Sequence, residues 1–166
     1  MQFELKALSR EAIPDALEKA MRYRLLNEPS QAESICLDIL RISPANQEAL
    51  TILLLARTDQ FGTGVSVSQA KEVLERLDGE YERAYYAGII AERSARARLR
   101  DGQLGAASII YDELTEAMRW YETAETARPP KNDDSILRWN TCARTLMQHR
   151  ELCRAPEERL APVLDD

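Results

Sequence analysis

Prolines at 14, 29 and 44 punctuate two stretches whose apolar residues fall at helical spacing, and this punctuation leaves few folds open. Between Ser9 and Asn27, residues Ile13, Leu17, Ala20, Met21, Tyr23 and Leu25 recur at helical spacing. Pro14 stands near the start, where its missing N–H costs little. Pro29-Ser30 breaks the run, and Ser30 offers an N-cap for a second helix. There Ala32, Ile35, Cys36 and Ile39 form an i, i+3, i+4, i+7 stripe that stops at Ser43-Pro44. The two together make a helical hairpin. Asn46 is placed to cap a third helix, rich in leucine at 50, 53, 54 and 55, which runs into the long loop DQFGTGVSVS. Further helices are expected over 68–77, 81–100, 104–126 and 134–152, with a short tail helix at 156–164. No convincing period-2 strand interrupts them, although 65–67 could be locally extended. The expectation is an all-α chain forming one domain, 1–166, since no composition shift marks a second.

Helices in pairs of roughly 34 residues signal a solenoid. Ala20, Tyr23, Ala32, Cys36 and Pro44 stand at the separations of the tetratricopeptide signature, and PAN at 44–46 supplies the hinge to a following repeat. The small Ala20 and Ala32 sit where two antiparallel helices would cross, with Tyr23 filling the space beside them. The chain therefore resembles a divergent, bacterial-type member of the tetratricopeptide repeat (TPR) family. A second pair is looser: Leu50, Leu53 and Leu54 fit, Arg57 replaces the aromatic, and Ala70 and Leu74 fit only if the 59–68 loop is an insertion. A third pair carries Ala84, Ala87 and Gly88, then a stripe through Ile110, Leu114, Ala117, Tyr121 and Ala124. Trp139, Cys142, Ala143 and Leu146 repeat the first-helix signature once more. The resemblance implies a right-handed superhelical array of antiparallel helix pairs, a TPR-like α-solenoid, with repeats at about 13–46, 47–78 and 81–128 and a half-repeat at 134–152.

Catalysis is not expected. The stretch RPPKNDDSILRWNTCARTLM at 128–147 has paired carboxylates, a tryptophan, a cysteine and three arginines, yet each has a structural reading. Pro129-Pro130 ends one helix, Asp133 or Asp134 starts the next, and Trp139 and Ala143 hold the bulky and small packing places. Cys142, His149 and Cys153 share one helix face, but a straight helix spreads them over about 16 Å, too far for one tetrahedral ion. With a single histidine no Ser-His-Asp or Cys-His set suggests itself, and no metal or cofactor is expected. Three cysteines at unrelated spacings argue against a disulfide framework. No apolar stretch approaches the roughly 20 residues that span a bilayer, and MQFELKALSR does not read as a signal peptide, so a cytoplasmic protein without membrane association is expected.

Function must then come from a surface. The 22 Lys+Arg against 28 Asp+Glu favour a protein partner over a polynucleotide, although Arg93, Arg96 and Arg100 form a basic stripe that could grip phosphates or an acidic partner. The resemblance implies that first helices of successive pairs line a concave groove for a peptide or helix. Helical rotation assigns its lining to Leu17, Met21 and Arg24, then Thr51, Ile52 and Leu55, then Tyr85, Tyr86, Ile89 and Arg93, then Leu137, Asn140, Arg144 and Met147. A non-catalytic adaptor that binds a protein or peptide, or a second copy of itself, is the favoured reading; regulation of nucleic acid through the Arg93–Arg100 stripe is the alternative.

Overall fold

Seven α-helices follow a short 3-10 turn at Arg10–Ala12 in the computed structural model, which describes residues 3–102 and 105–153. They are α1 (Ile13–Leu25), α2 (Pro29–Ile42), α3 (Gln47–Asp59), α4 (Val67–Leu74), α5 (Glu80–Asp101), α6 (Ala107–Thr126) and α7 (Asp134–Gln148). The chain is all-α: among the described residues the only extended pairing is a single bridge between Phe61 and Val65. The tail helix expected at 156–164, and Leu104 as a helix start, lie outside the described residues.

The boundaries follow from local chemistry. Asn46 caps α3 as expected, its side-chain oxygen accepting the Ala49 N–H at 2.8 Å. Ser30 does not cap α2, because Pro29 already occupies the first helical turn with its preset φ, and the serine falls inside the helix. Helix α4 starts at Val67 rather than at position 68, because Ser66 caps it in a reciprocal capping box with Gln69. Gly102 takes the left-handed conformation, φ 61°, that closes α5. Helix α7 ends at Gln148 rather than Leu152, although Leu152 remains buried beyond it.

Each helix packs on the one before it, and α1 also touches α3 as α3 touches α5. Helices α1, α3 and α5 are thereby brought side by side. One apolar cluster, built on Leu17, Cys36, Ile39, Leu50, Leu53 and Val73, fills the α1–α4 half. A second, built on Ile89, Ile110, Leu114, Tyr121 and Cys142, fills the α5–α7 half, and Leu55 and Tyr86 pack against both. Ala20 and Ala32 are fully buried, as close helix crossings require.

Burial also sets the thiol chemistry. Desolvation first, and then Glu33 beside Cys36 or Glu92 beside Cys142, push both thiols from the ordinary 9.0 up to about 12. A thiol with a raised pKa stabilises the fold below the unfolded value, and that contribution is lost as pH rises from about 9 towards 12. In native protein at mildly alkaline pH, a colorimetric thiol reagent should titrate the exposed Cys153 rapidly and reach Cys36 and Cys142 only after unfolding. Rapid reaction of all three would contradict this packing.

Candidate functional site

A cluster of arginines and tyrosines lies where the odd-numbered helices meet. Arg24 near the end of α1 donates from Nε to Asp59 Oδ2 of α3 at 2.7 Å. Arg93 of α5 reaches the same carboxylate, and its Nη1 also donates to Thr58 Oγ1 at 2.7 Å and to the Leu55 carbonyl at 3.2 Å. Asp59 thus ties three helices together from the last turn of α3. Desolvation lowers the Arg93 pKa, opposed by Asp59; repulsion from Arg24 and Arg138 adds to the lowering. The three guanidinium groups therefore share one electrostatic neighbourhood although they come from α1, α5 and α7.

The second carboxylate is Glu92, fully buried in α5. Arg138 of α7 donates to its Oε1 at 3.3 Å, Arg96 meets the same oxygen at 3.0 Å, and the Tyr121 hydroxyl of α6 donates to Oε2 at 2.6 Å. Burial works to lower the Arg138 pKa, but Glu92, helped by the Tyr85 hydroxyl, more than offsets it. The first turns of α5 add the rings: Tyr81 and Tyr85 stack at 5.6 Å, and Tyr85 meets Tyr86 edge-on at 5.2 Å. Burial, then Tyr85, raises the pKa of Tyr86, so its hydroxyl stays protonated as a donor.

The structure brings Met21, Leu55, Tyr85, Tyr86 and Arg93 to this region as half-buried side chains. It corrects three other assignments. Leu17, Ile52 and Ile89 are inside the core, 7%, 1% and 1% exposed, because the packing stripes of α1, α3 and α5 are wider than the a/d pattern alone and absorb the neighbouring flank. Asn140 and Arg144 are not brought to this cluster. Arg138 is the α7 side chain that faces α5, and at about 100° per residue Arg144 stands about 240° further round the helix. Arg144 is exposed, on the side away from the buried Ser135 and Cys142.

The remaining suspicious features are structural. Asn132 Oδ1 accepts both the Asp134 N–H at 3.0 Å and the Tyr81 hydroxyl at 3.2 Å, so it both begins α7 and fastens it to α5. Asp133 pairs with Arg128 and makes no cap hydrogen bond. Trp139 packs in the second cluster and donates its indole N–H to Glu122 at 2.9 Å. The basic stripe is spent within the chain: Arg93 on Asp59, Arg96 on Glu92, and Arg100 on the Phe61 carbonyl at 3.1 Å and on Asp101.

Sequence reasoning placed Arg24 on the groove flank and missed Asp59, Glu92 and Arg138. Only Glu92 left a signal, an acid on the buried side of α5 between Ile89 and Ala95. No helix among the described residues is long and apolar enough to cross a membrane. Comparison with models of known protein families finds no match, and comparisons with curated proteins and with solved structures find none.

Proposed function

We propose that the chain is a non-catalytic interaction module, a right-handed superhelical array of helix pairs in the manner of tetratricopeptide repeats, whose face of odd-numbered helices takes up a peptide or helix of a protein partner. Side-by-side contact of α1 with α3 and of α3 with α5 supports the array, as do the alanines at the first crossing. The observation that carries the function is the convergence of Arg24, Arg93 and Arg138 around half-buried Tyr85 and Tyr86. With Arg96 included, four guanidinium groups share two carboxylates, Asp59 and Glu92. Arginine and tyrosine are the side chains most enriched at binding hot spots, and guanidinium N–H donors not used in these ion pairs suit a partner segment that brings a carboxylate. A second copy of the chain is a partner of the same kind. No observation favours the nucleic-acid reading.

A photo-crosslinking amino acid in place of Tyr86, compared with one in place of the exposed Leu37 on α2, tests this in producing cells. Position 86 should give a discrete adduct, with a partner or with a second copy, that position 37 does not give and that Arg93→Ala diminishes. The same adducts from both positions would remove the odd-helix face as the binding surface.

A further inference from the structure

A groove between α4, α5 and α6 has been left without a role. Helix α4 is eight residues long and α6 is twenty, so the short helix leaves part of α5 uncovered beside α6. Two cavities of about 290 and 350 Å³ occupy the gap and meet at Leu74, Glu75, Ala87 and Trp120. The floor is made shallow by small residues of α5, Ala84, Ala87 and Ala91, and the walls are Leu74 and Trp120. Trp120 is 40% exposed, and its indole N–H has no hydrogen-bond partner among the described residues. This surface is distinct from the arginine-tyrosine face, because Ala91 precedes Arg93 by two residues, about 200° of helix rotation.

The rim is acidic. Glu75, Glu80, Glu113 and Glu116 line it against Lys71 and Arg83, and Arg83 already donates to the Leu77 carbonyl at 3.1 Å. No salt bridge among the described residues engages Glu75, Glu80 or Glu116. Glu113 uses one oxygen to accept from Ser94 at 2.7 Å and from Arg98 at 3.1 Å, while its other oxygen is buried with no hydrogen-bond partner. Buried acceptors of this kind call for a donor.

We propose that this groove docks an amphipathic helix of a partner protein, one that seats a large apolar side chain against Trp120 and Leu74 and sets lysine or arginine against the glutamate rim. Charge decides the occupant. The chain's own C-terminal segment, 154–166, carries Glu157, Glu158, Asp165 and Asp166 against Arg154 and Arg159, so it would meet the rim with like charge. A basic helix meets it with opposite charge, and an exposed tryptophan in an apolar slot is the common anchor of such contacts.

Labelled synthetic helices test the assignment by fluorescence anisotropy: one of leucine and lysine in amphipathic order, and the same peptide with glutamate for lysine. The lysine peptide should bind wild type at least about tenfold more tightly than the glutamate peptide. Trp120→Ala, Ala87→Arg and the pair Glu75→Lys with Glu116→Lys should each weaken it by about tenfold or more. Glu18→Lys on α1, and Arg93→Ala on the other face, should leave the affinity unchanged. Should Ala87→Arg lower the unfolding midpoint, Trp120→Ala at its exposed position carries the same comparison. Equal binding of the two peptides, loss of affinity in Glu18→Lys as large as in the groove variants, or retention in Trp120→Ala would overturn the proposal. The Arg93→Ala control keeps its failure separate from that of the odd-helix face.

Discussion

Removal of both Arg96 and Arg138, as Arg96→Met with Arg138→Met, is expected to cost about 3 to 5 kcal/mol of stability, more than Glu92→Leu costs. The asymmetry comes from burial. Glu92 is fully buried, whereas the Arg96 and Arg138 side chains are 46% and 33% exposed. Losing the acid frees two cations that can turn to water; the remaining cost is the Tyr121 hydroxyl left without its acceptor, about 1 to 3 kcal/mol. Losing both cations strands a carboxylate in the interior with one phenol for company. Urea unfolding followed by circular dichroism measures the two variants on one scale. If Glu92→Leu proved the more damaging, the acid would be acting as packing and not as a charge, and α7 would be held to α5 by other contacts. The single variant Arg138→Met should lie between, since Arg96 continues to pair with Glu92.

Much of the helical architecture was legible because it depends on short-range chemistry. The stripe Ala32, Ile35, Cys36 and Ile39, the Asn46 cap and the buried Ala20 and Ala32 follow from spacing and size, which a sequence displays directly. The errors lie where two local signals competed. Ser30 looked like a cap and position 68 like a helix start, but Pro29 and the Ser66/Gln69 box won by being better suited to a first turn. The site was less legible, for a geometric reason. Rotational assignment on a helix has no slack: moving from Arg144 to Arg138 changes the face, and moving from the half-buried Met21 to Leu17 enters the core. The pairing of Arg24 with Asp59, 35 residues apart, has no local correlate at all. Helix spacing and small residues at the crossings constrain how helices pack, and the polar contacts spanning α1, α3, α5 and α7 are additional to them.

Gly88→Ala should destabilise the protein by about 2 to 3 kcal/mol, against the helix-propensity gain of about 1 kcal/mol that the substitution brings to an ordinary helix interior. An added Cβ would stand 2.5 Å from Tyr121 Cε1, 2.7 Å from Cδ1 and 2.9 Å from Cζ. The ring cannot swing clear. It is 1% exposed, its hydroxyl is held by Glu92 at 2.6 Å, and Tyr85 lies 5.9 Å away between centroids. Displacing it would separate α5 from α6 or break the buried hydrogen bond, so overpacking and the loss of an acceptor's partner add. Gly88→Val, larger and β-branched, should do more damage. Combining Gly88→Ala with Tyr121→Ala isolates the cause: once the ring is gone, the methyl group should become neutral or stabilising by up to about 1 kcal/mol relative to Tyr121→Ala alone. A glycine at this place is thus what allows Tyr121 to lie across α5 and reach Glu92, and through Glu92 the arginine of α7. Stabilisation by Gly88→Ala in the otherwise unaltered chain would mean that the helices stand further apart than this contact requires, and that the route from Tyr121 to Arg138 is looser.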